Sequence, residues 1–243
     1  MNIVLITGVT SGIGEACVKK FSEKGYYIIG IARNRNKLKK IKLQSLKLGA
    51  KKFKEIVCNF NNINNINKVF EKIKSIKKID CVVNCAGVAY KKKITKLPIG
   101  EWNSLMQINV TIPFLIIKKS IKFLLNSKNP SIVNISSIAG RTRSISLGCH
   151  YTTSKSAIIG MTRHLAYELG SKGIRVNCCA PSQTLTPMLK NALSKKARIS
   201  LAKTVPLGRL SLASEQAEVI YFLCSKESSY INGAIIDVNG GLL

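Results

Sequence analysis

Seven short apolar runs, separated by longer amphipathic stretches, decide what this chain can fold into. The runs lie at 3–7, 26–32, 53–58, 80–84, 131–136, 174–179 and 234–238, and the amphipathic stretches near 12–24, 35–48, 63–78, 101–126, 150–170 and 214–226. The first stretch carries Ile13, Cys17 and Phe21 as a stripe with charged residues elsewhere, the pattern of a helix laid on a sheet. Strand–helix alternation of this regularity predicts an α/β fold, a doubly wound parallel sheet of about seven strands flanked by helices. At 243 residues, with no internal repeat and no Pro/Gly/Ser linker, 1–243 reads as a single domain. Only 181–213, which holds Pro181, Pro187 and Pro206, interrupts the alternation. Ligands of such sheets bind outside the carboxyl ends of the strands, so this insertion is a candidate substrate lid.

Composition removes several classes of function. An apolar content of 46% with 21% charged residues fits a globular chain with a sizeable core. Its longest apolar stretch, Ile112 to Ile117, is closed by Lys118 and Lys119 and is far too short to span a bilayer. The start enters an apolar run at once, without the charged region or cleavage site of a signal peptide, so a cytoplasmic protein is expected. The formal charge of +28 invites a nucleic-acid partner, but the lysines are scattered, and Asn61–Asn67 shows the same bias toward residues with AT-rich codons. A solvated lysine surface is the expectation; neither nucleic acid nor membrane is expected as a partner, while an acidic protein partner stays open. Of the eight cysteines none forms a C-x2-C pair and several sit in apolar runs, which favours core packing in a reducing compartment over zinc or disulfides. No metal is expected.

Chemistry concentrates at two places. Directly after the first run comes Thr7-Gly8-Val9-Thr10-Ser11-Gly12-Ile13-Gly14. Its glycines permit a tight turn and close approach of a pyrophosphate, and the helix that opens near Gly12 offers unpaired N–H groups and a positive dipole end. A purely structural turn is the alternative, but the position between first strand and first helix favours a Rossmann-type dinucleotide site. Further on, Tyr151-Thr-Thr-Ser-Lys155 sets a phenol and an ammonium one helical turn apart, on one face. A nearby ammonium favours the phenolate and brings a tyrosine toward the range where acid–base catalysis works. Alone the pair is equally a half-buried tyrosine beside a solvated lysine. His150 and His164 show no triad or metal-partner pattern and read as packing or surface residues, with His150 at the border of the pocket.

The glycine spacing, with Asn84-Cys85-Ala86-Gly87, Asn109, Ser136-Ser137, Tyr151 and Lys155 in that order, resembles the short-chain dehydrogenases/reductases of the classical type over essentially the whole length. The endings Pro206-Leu-Gly-Arg209-Leu and Tyr230 to Gly241 look most like the 3-oxoacyl-[acyl-carrier-protein] reductases among them, and occur in sugar, alcohol and quinone reductases too. The resemblance implies that Tyr151 protonates a carbonyl oxygen. Lys155 lowers the Tyr151 pKa and bonds the nicotinamide ribose, Ser137 polarises the carbonyl, and Asn109 holds a water that links Lys155 to solvent. Ser136 is a candidate beside Ser137, which is preferred because Ile138-Ala139-Gly140 follows it as in relatives. The cofactor is expected against Gly8, Thr10, Ser11, Gly12, Ile13 and Gly14, against Asn84, Ala86 and Gly87, and against Pro181, Thr184 and Thr186, with Asn59 touching the adenine. Cys85 replaces a common Asn, and Ser182 the Gly of the usual Pro-Gly.

Where NAD-specific relatives place an Asp at the end of the second strand, this chain has Ala32 and then Arg33. A carboxylate repels a 2′-phosphate and a guanidinium binds it, so NADP(H) is the expected cofactor. The reading is NADPH-dependent reduction of a carbonyl, with 3-oxoacyl-[acyl-carrier-protein] as leading substrate in fatty acid synthesis. The resemblance also implies a homotetramer or homodimer, and places Lys172 where relatives carry a basic residue that docks the acidic carrier. Alternatives are a sugar-derived or other small polar ketone, and, from a different class, a non-catalytic cofactor-binding regulator.

Overall fold

The computed structural model describes residues 1–243. One seven-stranded, wholly parallel sheet runs through it in the order β3-β2-β1-β4-β5-β6-β7. The strands are β1 (Ile3–Thr7), β2 (Tyr27–Ala32), β3 (Lys52–Val57), β4 (Cys81–Asn84), β5 (Ser131–Ile135), β6 (Arg175–Pro181) and β7 (Ile235–Val238). Side chains alternate across it: Ile3, Leu5, Tyr27, Ile29 and Ile31 enter one core, Val4, Ile6, Ile28 and Ala32 the other. Helices α1 (Gly12–Glu23), α2 (Arg35–Lys47) and α10 (Ala213–Cys224) cover the second core; α3 (Asn65–Glu71), α5 (Ile112–Leu124) and α7 (Cys149–Gly170) cover the first. The α1 stripe behaves as expected, with Cys17 and Phe21 buried and Ile13 partly so. Six of the eight cysteines are buried. No helix is long and apolar enough to cross a membrane.

Two helices differ from the sequence expectation. The stretch 63–78 is helical only over α3: before it Asn59 Oδ1 accepts from Asn61 N–H and Asn62 Oδ1 from Asn64 N–H, and after it the chain runs on in tighter turns, Ile73 N–H donating to the Phe70 carbonyl and Lys74 N–H to the Glu71 carbonyl. The stretch 101–126 is α4 (Ile99–Met106), a π-helical turn (Gln107–Thr111) and α5. Pro113 has no N–H to give the carbonyl four residues back, that of Asn109, and the widened turn falls where a regular ladder would fail.

Short α6 (Ile138–Arg141) leads from β5 toward α7. Between β6 and α10 the chain makes an excursion through α8 (Pro187–Ala192) and α9 (Lys195–Lys203), neither of which buries a residue. Its base is closed by the bridge Thr184–Ser211 and by Leu185 N–H donating to the Ser211 carbonyl at 2.8 Å.

Candidate active site

Strand order reverses between β1 and β4, and outside the carboxyl ends of such strands a crevice opens. Its floor is the loop after β1. Gly8 (φ +74°) and Gly12 (φ +58°) take the left-handed conformation that favours glycine. A Cβ on Gly8 would lie 2.9 Å from the Ala86 backbone, and one on Gly14 only 2.3 Å from the Gly8 carbonyl oxygen. Ala86 N–H donates to Thr7 Oγ1 at 3.1 Å, which fastens the loop after β4 to the same floor. Ser11 caps α1 without a side-chain hydrogen bond, so the first-turn N–H groups stay open to an anion. This is a cradle that any side chain would fill, and its open donors fit a pyrophosphate.

The other expected cofactor residues frame it unequally. Gly12 meets Thr186, whose Cγ2 would stand 3.2 Å from an added Cβ, so the segment after β6 crosses the cradle. Thr186 Oγ1 caps α8, and the Thr184 hydroxyl is taken up inside the chain, donating to the Ser182 carbonyl and accepting from Ser211. Pro181 ends β6, and Ser182 Oγ donates to the Asn239 carbonyl at 3.1 Å. Asn84 does not turn its amide to the crevice: it is buried and donates to Asn134 Oδ1 at 2.9 Å. Asn59 is exposed two residues beyond β3. Ala32 is the last residue of β2, and Arg33 follows it, exposed and without an ion-pair partner. The first turn of α2 next to it has no acidic residue.

At the far wall Ser137, Tyr151 and Lys155 come together. Ser137 caps α6, its Oγ accepting from Ala139 N–H at 3.1 Å with the hydroxyl proton left to donate. Ser136 is excluded from that role: it is buried, and its Oγ donates to the Lys155 carbonyl at 2.7 Å. Lys155 Nζ donates to the Ile135 carbonyl at 2.9 Å and sits 5.7 Å from the centroid of the Tyr151 ring.

Burial, ahead of any neighbouring charge, governs the Tyr151 phenol. Burial raises the phenol above its ordinary value, and the Ser137 hydroxyl beside it draws it partly back. Burial also pushes the Lys155 ammonium down to about 8, with the Cys178 and Cys85 thiols opposing it weakly. Burial thus drives both groups toward their neutral forms.

Asn109 stands on the π-helical turn. Its side chain is fully engaged: Oδ1 accepts from Val88 N–H, and Nδ2 donates to the Val88 carbonyl, both at 2.9 Å, and to Ser154 Oγ at 3.1 Å. That leaves its side chain no capacity for a water. A Cβ on Gly87 would lie 3.4 Å from Asn109 Oδ1 and 3.6 Å from Lys155 Nζ, so glycine keeps open the space between them.

Sequence reasoning missed three participants. Thr7 and Ser154 fasten the loop after β4 and the Asn109 amide through contacts far apart in the chain. Glu101 lies beside His150, which is wholly buried and not a surface residue. Lys172 stands far from Tyr151. It follows the end of α7, and at 1.5 Å per residue that puts it roughly 30 Å from Tyr151 along the helix.

Comparison with known proteins agrees with this geometry. A family model described as enoyl-(acyl carrier protein) reductase matches residues 8–243. The chain is 34% identical over 241 residues to the 3-oxoacyl-[acyl-carrier-protein] reductase FabG of Thermotoga maritima, covering 99% of this chain and 97% of that protein. A crystal structure of a 3-oxoacyl-[acyl-carrier protein] reductase with bound NAD from Brucella melitensis superposes with a TM-score of 0.89 at 33% identity, over 99% of this chain and 90% of that one. Levodione reductase superposes with a TM-score of 0.92 at 26% identity, over 99% and 96%.

Proposed function

The chain belongs to the short-chain dehydrogenase/reductase family, NAD(P)-dependent oxidoreductases of CH–OH and C=O groups, and we propose that it reduces 3-oxoacyl groups on acyl carrier protein with NADPH. The observation that carries the chemistry is the convergence of the Ser137 hydroxyl, a half-buried Tyr151 and a buried Lys155 beside an open glycine cradle. Ser137 donates to the carbonyl oxygen and Tyr151 delivers its proton as negative charge grows there. When bound, the reduced nicotinamide supplies the hydride. Lys155 holds the nicotinamide ribose and returns a proton to Tyr151, and the Asn109 carbonyl holds the water that reloads Lys155. The raised phenol suits this direction, because the donor stays loaded at neutral pH while the alkoxide it meets is far more basic.

A relative binds NAD, so the cofactor preference rests on this chain's own residues. Ala32 has no carboxylate to repel a 2′-phosphate, and Arg33, Arg35 and Lys37 are exposed around it. The excursion through α8 and α9 serves as the lid. Its weak anchoring and its contact with Gly12 let it close over both ligands. Phe114 on α5 and Tyr167 on α7 are exposed on outward faces, the surface a homodimer or homotetramer would cover.

Carrier protein as substrate is supported by charge at the mouth. Segments 88–98, 138–148 and 181–212 contain no Asp or Glu, while Lys91, Lys92, Lys93, Lys96, Arg143 and Lys196 stand on them. Such a collar steers an acidic partner and does little for a small neutral one. The test is NADPH oxidation with acetoacetyl-carrier protein and with acetoacetyl-pantetheine at rising salt. A steep loss for the first and a flat profile for the second are expected; parallel profiles remove the carrier from the proposal. Levodione and a ketose in the same assay test the second reading, a small polar ketone, which the likeness to levodione reductase favours.

A further inference from the structure

His150 stands in the first turn of α7, one residue before Tyr151, and is 0% exposed. Neither ring nitrogen has a hydrogen-bond partner, and Glu101 Oε1 is likewise buried without one. These orphaned atoms face each other, with His150 Nε2 3.5 Å from Glu101 Oε1. Buried polar atoms left unpaired are costly, so three gathered at one point call for a role beyond filling space.

What surrounds the imidazole shows what it can hold. Tyr90 stacks on it with ring centroids 6.4 Å apart and planes at 18°. Gly148, the N-cap of α7, donates its N–H to the Tyr90 carbonyl at 3.0 Å. A Cβ on Gly148 would lie 2.5 Å from His150 Cε1 and 2.6 Å from Nδ1, so the ring occupies room that only glycine leaves. Three segments therefore meet at one side chain: the first turn of α4, the loop that carries Tyr90, and the turn of α7 that carries Tyr151. The same loop is held from its other end by the Asn109 amide on Val88.

We infer that His150 and Glu101 are a positioning pair, which fixes the first turn of α7 and hence the Tyr151 hydroxyl against α4 and the Tyr90 loop. A proton on Nε2 directed at the Glu101 carboxylate satisfies two of the three orphaned atoms at once. Removal of either partner leaves the other buried and alone, and the turn relaxes away from it. Tyr151 then loses enclosure.

The role rests on Tyr151 as the proton donor, and the experiment separates the two. His150→Leu and Glu101→Leu should each lower kcat for carbonyl reduction by about tenfold, as a displaced catalytic group does. The KM for NADPH should stay within about twofold, since the glycine cradle is untouched. The double variant should be no worse than either single, because one interaction is lost in all three. His150→Gln, whose amide N–H can still reach Glu101, should recover most of the loss. Independently of turnover, Tyr151 is titrated as the phenolate absorbance difference between each protein and its Tyr151→Phe form. The leucine variants should bring that titration down toward about 10, and His150→Gln should not. If a leucine variant fails to fold, His150→Asn, too short to reach Glu101, replaces it against His150→Gln. Unchanged titration and kcat in the variants, or additive losses in the double, would overturn the pairing. Absence of any carbonyl turnover in the wild type would instead overturn the reductase reading, while the phenol titration still decides the pair.

Discussion

Replacing Gly14 by alanine should damage the dinucleotide cradle, and the structure sets the size of the effect. The new Cβ would stand 2.3 Å from the Gly8 carbonyl oxygen and 2.8 Å from its carbonyl carbon, where ordinary contact begins at 3.4 Å. Either the start of α1 or the Gly8 loop must retreat by roughly 1 Å, an overpacking that costs about 1–3 kcal/mol. Gly8 has little freedom to move, since its N–H is bonded to the Ile31 carbonyl at 2.8 Å and Ala86 backs it. Helix α1 is pinned through Cys17 and Phe21. The better helix propensity of alanine returns about 0.5–1 kcal/mol, so the net loss is up to about 2.5 kcal/mol and Tm falls by up to about 10 °C. Cofactor affinity should fall further, by about tenfold or more, because the displaced N–H groups are the ones that face the phosphates. Gly160→Ala is the control: it is an exposed α7 glycine with nothing within 4 Å of an added Cβ, and it should gain about 0.5–1 kcal/mol. Thermal unfolding by circular dichroism and NADPH fluorescence titration measure both effects. A Gly14→Ala protein with wild-type Tm and wild-type NADPH affinity would refute the close approach at the cradle.

Ser137→Ala should cut kcat/KM by about 10²–10³ with little change in Tm, whereas Ser136→Ala, which breaks a buried bond to α7, should cost stability first; paired kinetics and melting curves distinguish them. Lys155 has a folded pKa near 8, below that of the free side chain, so between about pH 8 and pH 10.5 the unfolded chain binds the extra proton and stability rises with pH. Lys155→Met should remove that rise, bounded by roughly 3 kcal/mol, as urea unfolding of the two proteins across this window will show. Ala32→Asp with Arg33→Ala should reverse the cofactor preference, read as the ratio of kcat/KM for NADPH to that for NADH; a wild-type ratio at or below unity removes the phosphate-binding role of Arg33.

The sheet was legible because five of its seven strands are buried on both faces and announce themselves as apolar runs, with ends misplaced by no more than two residues. The glycine turn was legible because its chemistry is local. Pro113 carried the signal for the broken helix, but a proline near a helix start reads equally well as a first-turn residue. The choice between Ser136 and Ser137 lay in a bond to Lys155, nineteen residues on, which no local spacing reveals. Helical spacing put Lys155 beside Tyr151 correctly, yet spacing carries no information on burial, and burial decides both of their protonation equilibria. Glu101 and His150 are joined only by the packing of α4 on α7.

The central claim, that Tyr151 is the proton donor of a carbonyl reductase, is tested most directly by NADPH oxidation with acetoacetyl thioester in the wild type and in Tyr151→Phe. Loss of one hydroxyl leaves the ring packing and the glycine cradle in place. Turnover should fall by about 10²–10⁴, the usual contribution of a general acid, while NADPH binding followed by fluorescence stays within about threefold. A Tyr151→Phe enzyme that turns over at the wild-type rate would contradict the account.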